Sequence, residues 1–125
     1  MTPIQSHRDL IVWQKAMDFA EVVYGLAARF LPHETYRLGS RITRAAASVP
    51  ANIAEGKARG TKRDYANFLS VAKGSLMETE TFLMLAVRLK YIAQTEASTA
   101  FALVPEVSKM LTSLRSRLKE GGDQR

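Results

Sequence analysis

The sequence predicts an all-α protein, an antiparallel up-down-up-down four-helix bundle whose second helix is kinked by a proline. Three observations lead to this prediction. Apolar residues recur at spacings of three and four along nearly the whole chain, which is the periodicity of amphipathic helices. Prolines, glycines and capping residues divide the chain into four long segments joined by short links. The length of 125 residues is that of a single domain, 1–125, with one hydrophobic core.

The first predicted helix covers about residues 7–31. Its apolar positions form a single stripe, the pattern of a helix with one apolar face, and the helix ends where "LPHE" introduces a proline. The members of the stripe are Trp13, Met17, Ala20, Tyr24, Ala27 and Leu31.

The second predicted helix covers about residues 34–58 and contains the stretch "SVPANIAEG", Ser48 to Gly56. Apolar residues keep helical spacing on both sides of Pro50, and no glycine or turn cluster intervenes before Gly56. Proline removes one backbone N–H and crowds the carbonyl of Ala46, so we expect a kink rather than a break. Ser48 and Asn52 are placed to relieve this bend by local hydrogen bonding.

The third and fourth predicted helices cover about residues 61–90 and 95–119. Thr61 and Asp64 form a variant capping box at the start of the third helix, and Thr95 can cap the fourth. Pro105 should kink the fourth helix or reset its start, and "EGGDQR", residues 120–125, reads as a polar tail. Short links between long helices predict antiparallel neighbours.

Composition limits the possible functions. The chain has no cysteine, which excludes disulfides, thiolate metal sites and a cysteine nucleophile. It has neither an export-signal pattern nor an apolar run of membrane-spanning length, so we expect a cytoplasmic protein without a membrane partner. The formal net charge of +6 is compatible with a polyanionic partner, although solvated basic faces are common in small proteins.

No motif for catalysis or cofactor binding is apparent. Neither His7 nor His33 follows a glutamate at the Glu-x-x-His spacing of di-metal bundles, so we expect no metal site. The stretch "EGKARGTKR" lacks the spacing of a phosphate-binding loop and follows a helix instead of a strand. We therefore expect no cofactor and no enzymatic activity. An acid/base pair of Glu55 and Glu78 is a distant alternative.

Polar residues among small apolar ones form a candidate structural network on the second and third helices. Three interpretations remain open for this set: hydrogen bonds that fix the register of the two helices, solvent-facing glutamates near helix ends, or a ligand site. The members are Ser48, Asn52, Glu55, Ser75 and Glu78.

Basic residues form two candidate nucleic-acid-binding patches at opposite ends of the second helix. The first, the arginine ridge, follows helical spacing and consists of Arg37, Arg41 and Arg44. The second, the turn cluster, surrounds the link into the third helix and consists of Lys57, Arg59, Lys62 and Arg63. Because no base-reading motif is present, any contact would be mainly with phosphates, salt-sensitive and weakly sequence-specific. Arginines of an oligomer interface are the alternative for the ridge.

Three stretches carry a family resemblance: "DLIVWQKAMDFAEVVY", "RITRAAASVPANIAEGKARGTKRDYANFLSVAKGSLMETETFL" and "RLKYI". Over about residues 9–118, the chain resembles the four-helix-bundle proteins encoded by intervening sequences in bacterial large-subunit ribosomal RNA genes. That family in turn resembles the accessory variability protein of diversity-generating retroelements, a basic pentamer that associates with a reverse transcriptase and its RNA.

The resemblance implies a homo-oligomer, with a pentamer favoured, and a positively charged surface. It implies no catalytic residue, because the family has no established biochemical activity. It also places Ser48, Pro50, Asn52, Ile53, Glu55, Gly56, Ser75 and Glu78 in a shared family pattern. Relatives often have glutamine at the position of Arg41, so the strength of the arginine ridge varies within the family.

Two hypotheses of function follow. In the first, the protein is an oligomeric accessory factor whose arginine ridge and turn cluster hold the backbone of RNA or DNA. In the second, it is a protein-interaction scaffold whose arginines face sibling subunits or another protein. Basic patches on one exposed face favour the first hypothesis, whereas patches paired with Glu34, Glu55 and Asp64 favour the second.

Overall fold

The computed structural model describes residues 6–122, and the side chains of residues 6–119. Four helices account for most of this region: α1 (Ile11–Ala27), α2 (Leu38–Ala58), α3 (Lys62–Arg88) and α4 (Ser98–Gly122). Short 3-10 turns, His7–Asp9 and Pro32–Glu34, precede α1 and α2. No strand occurs among residues 6–122, which confirms the all-α fold class. The remaining residues of the predicted tail, 123–125, lie outside the described region.

The helices pack in chain order around one core. Within the described chain, α1 contacts α2, α2 contacts α3, α3 contacts α4, and α4 returns to α1. This cyclic order, with short connections, is that of an antiparallel four-helix bundle. Packing between α2 and α3 is the most extensive of the four.

Helix α1 is shorter at both ends than predicted. Ser6 caps the first 3-10 turn, where its hydroxyl accepts a hydrogen bond from the Arg8 N–H, and extended Leu10 separates this turn from α1. At the other end, Pro32 disfavours helical backbone at the residue before it, and Leu31 is accordingly extended (φ −58°, ψ 145°).

The buried face of α1 only partly matches the predicted stripe: Ala20 is buried, and Trp13 and Ala27 pack against the core. Met17, Tyr24 and Leu31 are 45–50% exposed. A neighbouring face packs against the core instead, and it consists of Val12, Ala16, Phe19, Ala20, Val23 and Leu26. Because α1 carries apolar residues on both faces, periodicity alone does not show which face is buried. The packing of α1 against α2 and α4 determines the buried face.

Helix α2 begins at Leu38 instead of residue 34, because the chain first forms the 3-10 turn that buries Glu34. The helix then continues through Pro50, which is buried, to Ala58. Continuation through the proline is as predicted. Pro50 has no N–H to donate to the carbonyl of Ala46. The Asn52 side-chain amide does not take its place, because it donates to the carbonyl and hydroxyl of Ser48.

The ends of α3 have well-defined caps. Thr61 accepts a hydrogen bond from the Asp64 N–H at 3.1 Å, the first half of the predicted capping box. At the other end, the Tyr91 N–H bonds the Ala86 carbonyl and the Lys90 N–H bonds the Val87 carbonyl. These two bonds form a Schellman motif, in which Lys90 occupies the left-handed position with φ of 64°.

Helix α4 begins at Ser98 rather than at the predicted residue 95 and extends to Gly122, through Pro105. Residues 94–97 form turns before it, and the Glu96 carboxylate accepts a hydrogen bond from the Ala93 N–H at 2.8 Å. The ion pair between Lys15 and Glu106, 3.2 Å apart, joins α1 to α4 across the surface.

Candidate functional site

Three of the five predicted polar network residues are joined by hydrogen bonds. The hydroxyl oxygens of Ser48 and Ser75 lie 2.8 Å apart, across the seam between α2 and α3. The Asn52 amide donates to the Ser48 carbonyl and hydroxyl, both at 2.8 Å, and the buried Thr79 hydroxyl donates to the Ser75 carbonyl at 2.7 Å. Of these bonds, the one between Ser48 and Ser75 crosses from α2 to α3, and the others each lie within a single helix.

Glu55 and Glu78 form no hydrogen bond with these residues, and both are exposed, as the alternative of solvent-facing glutamates describes. Contact between Ser48 and Ser75 fixes the register of the two antiparallel helices. From that contact, Glu55 and Glu78 lie in opposite directions along the seam, and their axial separation is about 15 Å at 1.5 Å per residue. An acid/base pair acting on one bond needs its carboxylates within about 10 Å of each other. The geometry therefore gives no support to the acid/base alternative.

Each of these glutamates has its own surroundings. Glu55 is exposed and forms an ion pair with Arg59 one turn later, at 3.8 Å. Glu78 is exposed and lines a cavity of about 350 Å³ in the α2–α3 seam together with Arg41 and Arg44. Both carboxylates therefore add negative charge to a surface whose predicted nucleic-acid-binding residues are all cations.

The arginine ridge borders the α2–α3 seam. Arg41 lines two neighbouring cavities of this seam, the one just described and another of about 440 Å³ that also receives Arg37. All three ridge arginines are exposed. Arg37 pairs with the Glu34 carboxylate at 3.3 Å, and Arg44 donates a long hydrogen bond of 3.4 Å to the Ser40 hydroxyl. The ridge is thus accessible, but part of its charge is compensated.

Glu34 interacts with four residues at this end of the bundle, three close to it in sequence and one, Tyr91, beyond α3. Its buried carboxylate accepts hydrogen bonds from the Leu38 N–H and the Tyr91 hydroxyl and faces the charges of Arg37 and His33. Burial alone would raise the pKa of Glu34, but these interactions outweigh it and lower the pKa below 4.5. The same hydrogen bond raises the pKa of Tyr91. Glu34 therefore serves as an anchor for the start of α2.

The turn cluster also borders α3. The Arg59 guanidinium lies 4.9 Å from the centre of the Phe68 ring, a cation–π contact, and pairs with Glu55. Lys57 is half-buried in the last turn of α2. Lys62 and Arg63 are exposed in the first turn of α3 and form no ion pair with any residue from 6 to 119.

Helix α4 adds cations to this end of the bundle that were not among the predicted ones. Arg115 and Lys119, on the last turns of α4, line a cavity of about 320 Å³ together with Lys62 and Arg63. The sequence contains a signal for this pair, because Arg115 and Lys119 are spaced i, i+4 and so share one face of a helix. The antiparallel topology then brings the end of α4 beside the start of α3.

Two features are absent from the described residues. No group of three or more histidine, aspartate or glutamate side chains that could hold a metal ion occurs among them. The same part of the chain contains no helix long and apolar enough to cross a membrane.

The fold and the site define a basic four-helix bundle with cationic surfaces along α3. The model of the 23S rRNA-intervening sequence protein family matches residues 8–113. The chain belongs to this family, as the resemblance in its sequence indicated.

A solved structure supports the assignment. The chain is similar to a protein of unknown function of the S23 ribosomal protein family from Bacteroides thetaiotaomicron, with 26% identity and a TM-score of 0.78. The match covers 84% of this chain and 98% of that protein. No curated protein sequence matches the chain.

Proposed function

We propose that this protein is a non-enzymatic accessory factor that associates with RNA or DNA through backbone phosphates. The family description ties its members to ribosomal RNA genes. The main support is that most of the seven predicted cations keep an uncompensated positive charge. Five of them form no ion pair within residues 6–119: Arg41, Arg44, Lys57, Lys62 and Arg63.

The position of the two patches supports the same function. Arg41 and Arg44 face Phe82 of α3 across one end of the α2–α3 seam, and Arg59 stacks on Phe68 of α3 at the other end. Both patches therefore border the same helix of the protomer. Guanidinium groups that keep their positive charge at all physiological pH values suit repeated contacts with phosphates. Such contacts would act in the cytoplasm, where nucleic acid is available.

A salt-dependent binding experiment tests the proposal. A fluorescently labelled structured RNA is titrated with the protein at several salt concentrations, and the anisotropy is measured. We expect micromolar or tighter affinity that falls steeply as salt increases, because phosphate contacts release counterions. The variant in which Arg37, Arg41 and Arg44 are all changed to alanine should bind more weakly, with a shallower salt slope.

A matched control separates a local effect from the loss of total charge. The control variant changes Arg8, Arg88 and Lys109 to alanine and so removes the same number of positive charges as the ridge variant. These three residues are exposed and form no ion pair within the described chain. This variant should lose much less affinity than the ridge variant. Absence of RNA and DNA binding by the wild-type protein at low salt would contradict the proposal.

A second candidate function is that of a protein-interaction scaffold, and we propose that self-association is part of either role. Tyr36 is 91% exposed, and Leu85 and Leu89 are nearly half exposed beside Arg37 and Arg41. Exposed aromatic and apolar side chains next to arginines are typical of protein interfaces. A pentamer is the assembly that the family resemblance favours.

Sedimentation velocity tests this second candidate. We expect an assembly of about five times the 13.9 kDa chain mass, and Leu85→Asp should shift it toward smaller species because a charge on an interface core is costly. Matched replacement of the exposed Gln14 by aspartate should leave the assembly unchanged. A wild-type protein that sediments as a monomer at high concentration would contradict self-association.

A further inference from the structure

The seam between α3 and α4 differs in charge from the seam between α2 and α3. Two cavities, of about 370 and 320 Å³, lie along it and share Arg115 as a common wall. None of the residues that line them is acidic, and five are cationic: Lys62, Arg63, Lys73, Arg115 and Lys119. By contrast, Glu34 and Glu78 line the α2–α3 cavities. An acid-free concave surface concentrates positive potential.

The guanidinium of Arg115 is incompletely satisfied. Its Nε is buried and has no hydrogen-bond partner within the described chain. Arginine cannot lose its proton in a protein, and a buried charged donor without an acceptor costs free energy. Arg115 lines both cavities, and the oxygen of a bound anion is the acceptor that an exposed part of a guanidinium pairs with best. Phosphate oxygens suit this geometry, because they accept two parallel hydrogen bonds from one guanidinium.

The neighbouring groups add to this preference for an anion. Lys62 and Arg63 occupy the first turn of α3, where the positive end of the helix dipole also acts. On the other side of Arg115, Lys73 donates a hydrogen bond of 2.8 Å to the Thr112 hydroxyl, which holds its ammonium group beside the second cavity. Cations therefore lie on both sides of Arg115 along the seam.

We propose that the α3–α4 seam is a phosphate-binding site, with Arg115 as its central donor, for successive phosphates of a nucleic-acid strand. The proposal rests on the proposed nucleic-acid association and assigns part of it to a surface that the arginine ridge does not include. Two adjoining cavities that share one arginine can each receive one phosphate and part of its sugar.

Binding of labelled single-stranded RNA to the full chain tests the site with two matched variants. Arg115→Met removes the guanidinium and retains an unbranched stem of similar length. Arg117→Met removes the same charge two residues away, from an exposed arginine that lines neither cavity. We expect about tenfold weaker binding for Arg115→Met, from the loss of a charge-assisted pair, and less than twofold for Arg117→Met. Equal losses in both variants would overturn the site.

A second measurement uses inorganic phosphate as the probe, followed by amide shifts in NMR spectra. Phosphate should shift the amides of Lys62, Arg63 and Arg115 in the wild-type protein and in Arg117→Met, but not in Arg115→Met. Arg115→Lys should retain part of the effect, because it keeps the charge without the forked donors. Matching far-ultraviolet circular dichroism and thermal midpoints confirm that the variants fold.

The outcomes distinguish the two proposals. If RNA does not bind but phosphate shifts the seam amides in the wild-type protein and Arg117→Met, and not in Arg115→Met, the nucleic-acid function is wrong and the phosphate site stands. If RNA binds equally well to wild-type protein and Arg115→Met, and phosphate shifts no seam amide, the site is overturned while nucleic-acid association through the other cations stands.

Discussion

The hydroxyl groups of Ser48 on α2 and Ser75 on α3 are within hydrogen-bonding distance, 2.8 Å, and define the register of the most extensively packed helix pair. Asn52 supports Ser48 from the following turn, and Thr79 supports the Ser75 carbonyl. This register places the arginine ridge beside Phe82 and places Arg59 beside Phe68. The hydrogen bond between the two serines therefore also positions the cations of α2 relative to α3.

Ser48→Ala and Ser75→Ala should each lower the free energy of unfolding by about 1 kcal/mol, the usual net value of one hydrogen bond. The double variant should lose less than the sum of the two, because either single change already removes the shared bond. Urea denaturation of the four proteins gives the coupling energy. Strict additivity would mean that the two hydroxyls do not interact in solution.

Gly56→Ala should destabilise the bundle. A Cβ there would approach the Phe68 Cβ to 2.8 Å and the Tyr65 carbonyl oxygen to 3.2 Å, so the two helices would have to separate. Overpacking of this kind costs about 1–3 kcal/mol, which outweighs the gain of about 1 kcal/mol in helix propensity.

Gly74→Ala is the matched control for Gly56→Ala, because it makes the same change in the middle of α3 with nothing within 4 Å of the new Cβ. It should stabilise the protein by about 1 kcal/mol through helix propensity. Thermal denaturation compares the two variants. Stabilisation by both would refute the close approach of α2 to α3 at Gly56.

Lys90→Gly should raise the free energy of unfolding by about 1 kcal/mol. Lys90 has φ of 64°, a conformation that disfavours residues with a Cβ and that glycine adopts readily. Lys90→Ala keeps the Cβ and should change stability little, so the pair separates the backbone effect from the loss of the lysine charge. Denaturant midpoints measure both, and a gain in Lys90→Ala equal to that in Lys90→Gly would rule out the backbone explanation.

The stability of the protein should fall in acid partly through Glu34. Its pKa in the folded state is below the ordinary value of 4.5, so the folded state favours the ionised carboxylate. The resulting stabilisation is complete above pH 4.5 and disappears as the pH falls through the lowered pKa of the folded state. Glu34→Gln removes this titration while it keeps the size of the side chain.

Unfolding by urea at several pH values between 3 and 7 tests the role of Glu34. The difference in stability between wild-type protein and Glu34→Gln should be largest near neutral pH and should shrink below pH 4.5. Glu55→Gln serves as the control, because Glu55 is exposed and its pair with Arg59 is long. A difference between wild-type protein and Glu34→Gln that does not vary with pH would contradict a lowered pKa at Glu34.

The candidate site was only partly predictable from the sequence. Local spacing identified the arginine ridge and the turn cluster, and the helix continuity at Pro50 was correct. Spacing did not reveal that Glu34 would be buried beside Tyr91, or that Arg115 and Lys119 would join Lys62 at one cavity. These relationships depend on which helix ends meet, so they require the packed arrangement of all four helices.

The sequence by itself determined the number of helices and their approximate limits, because periodicity, proline, glycine and capping residues act over a few residues along the chain. Tertiary structure decided which face of α1 is buried, since both faces are apolar, and it decided the register of α2 against α3. It also decided where positive charge remains uncompensated. Burial and electrostatic interaction both depend on groups far apart in the chain, and only the packing of the helices brings those groups together.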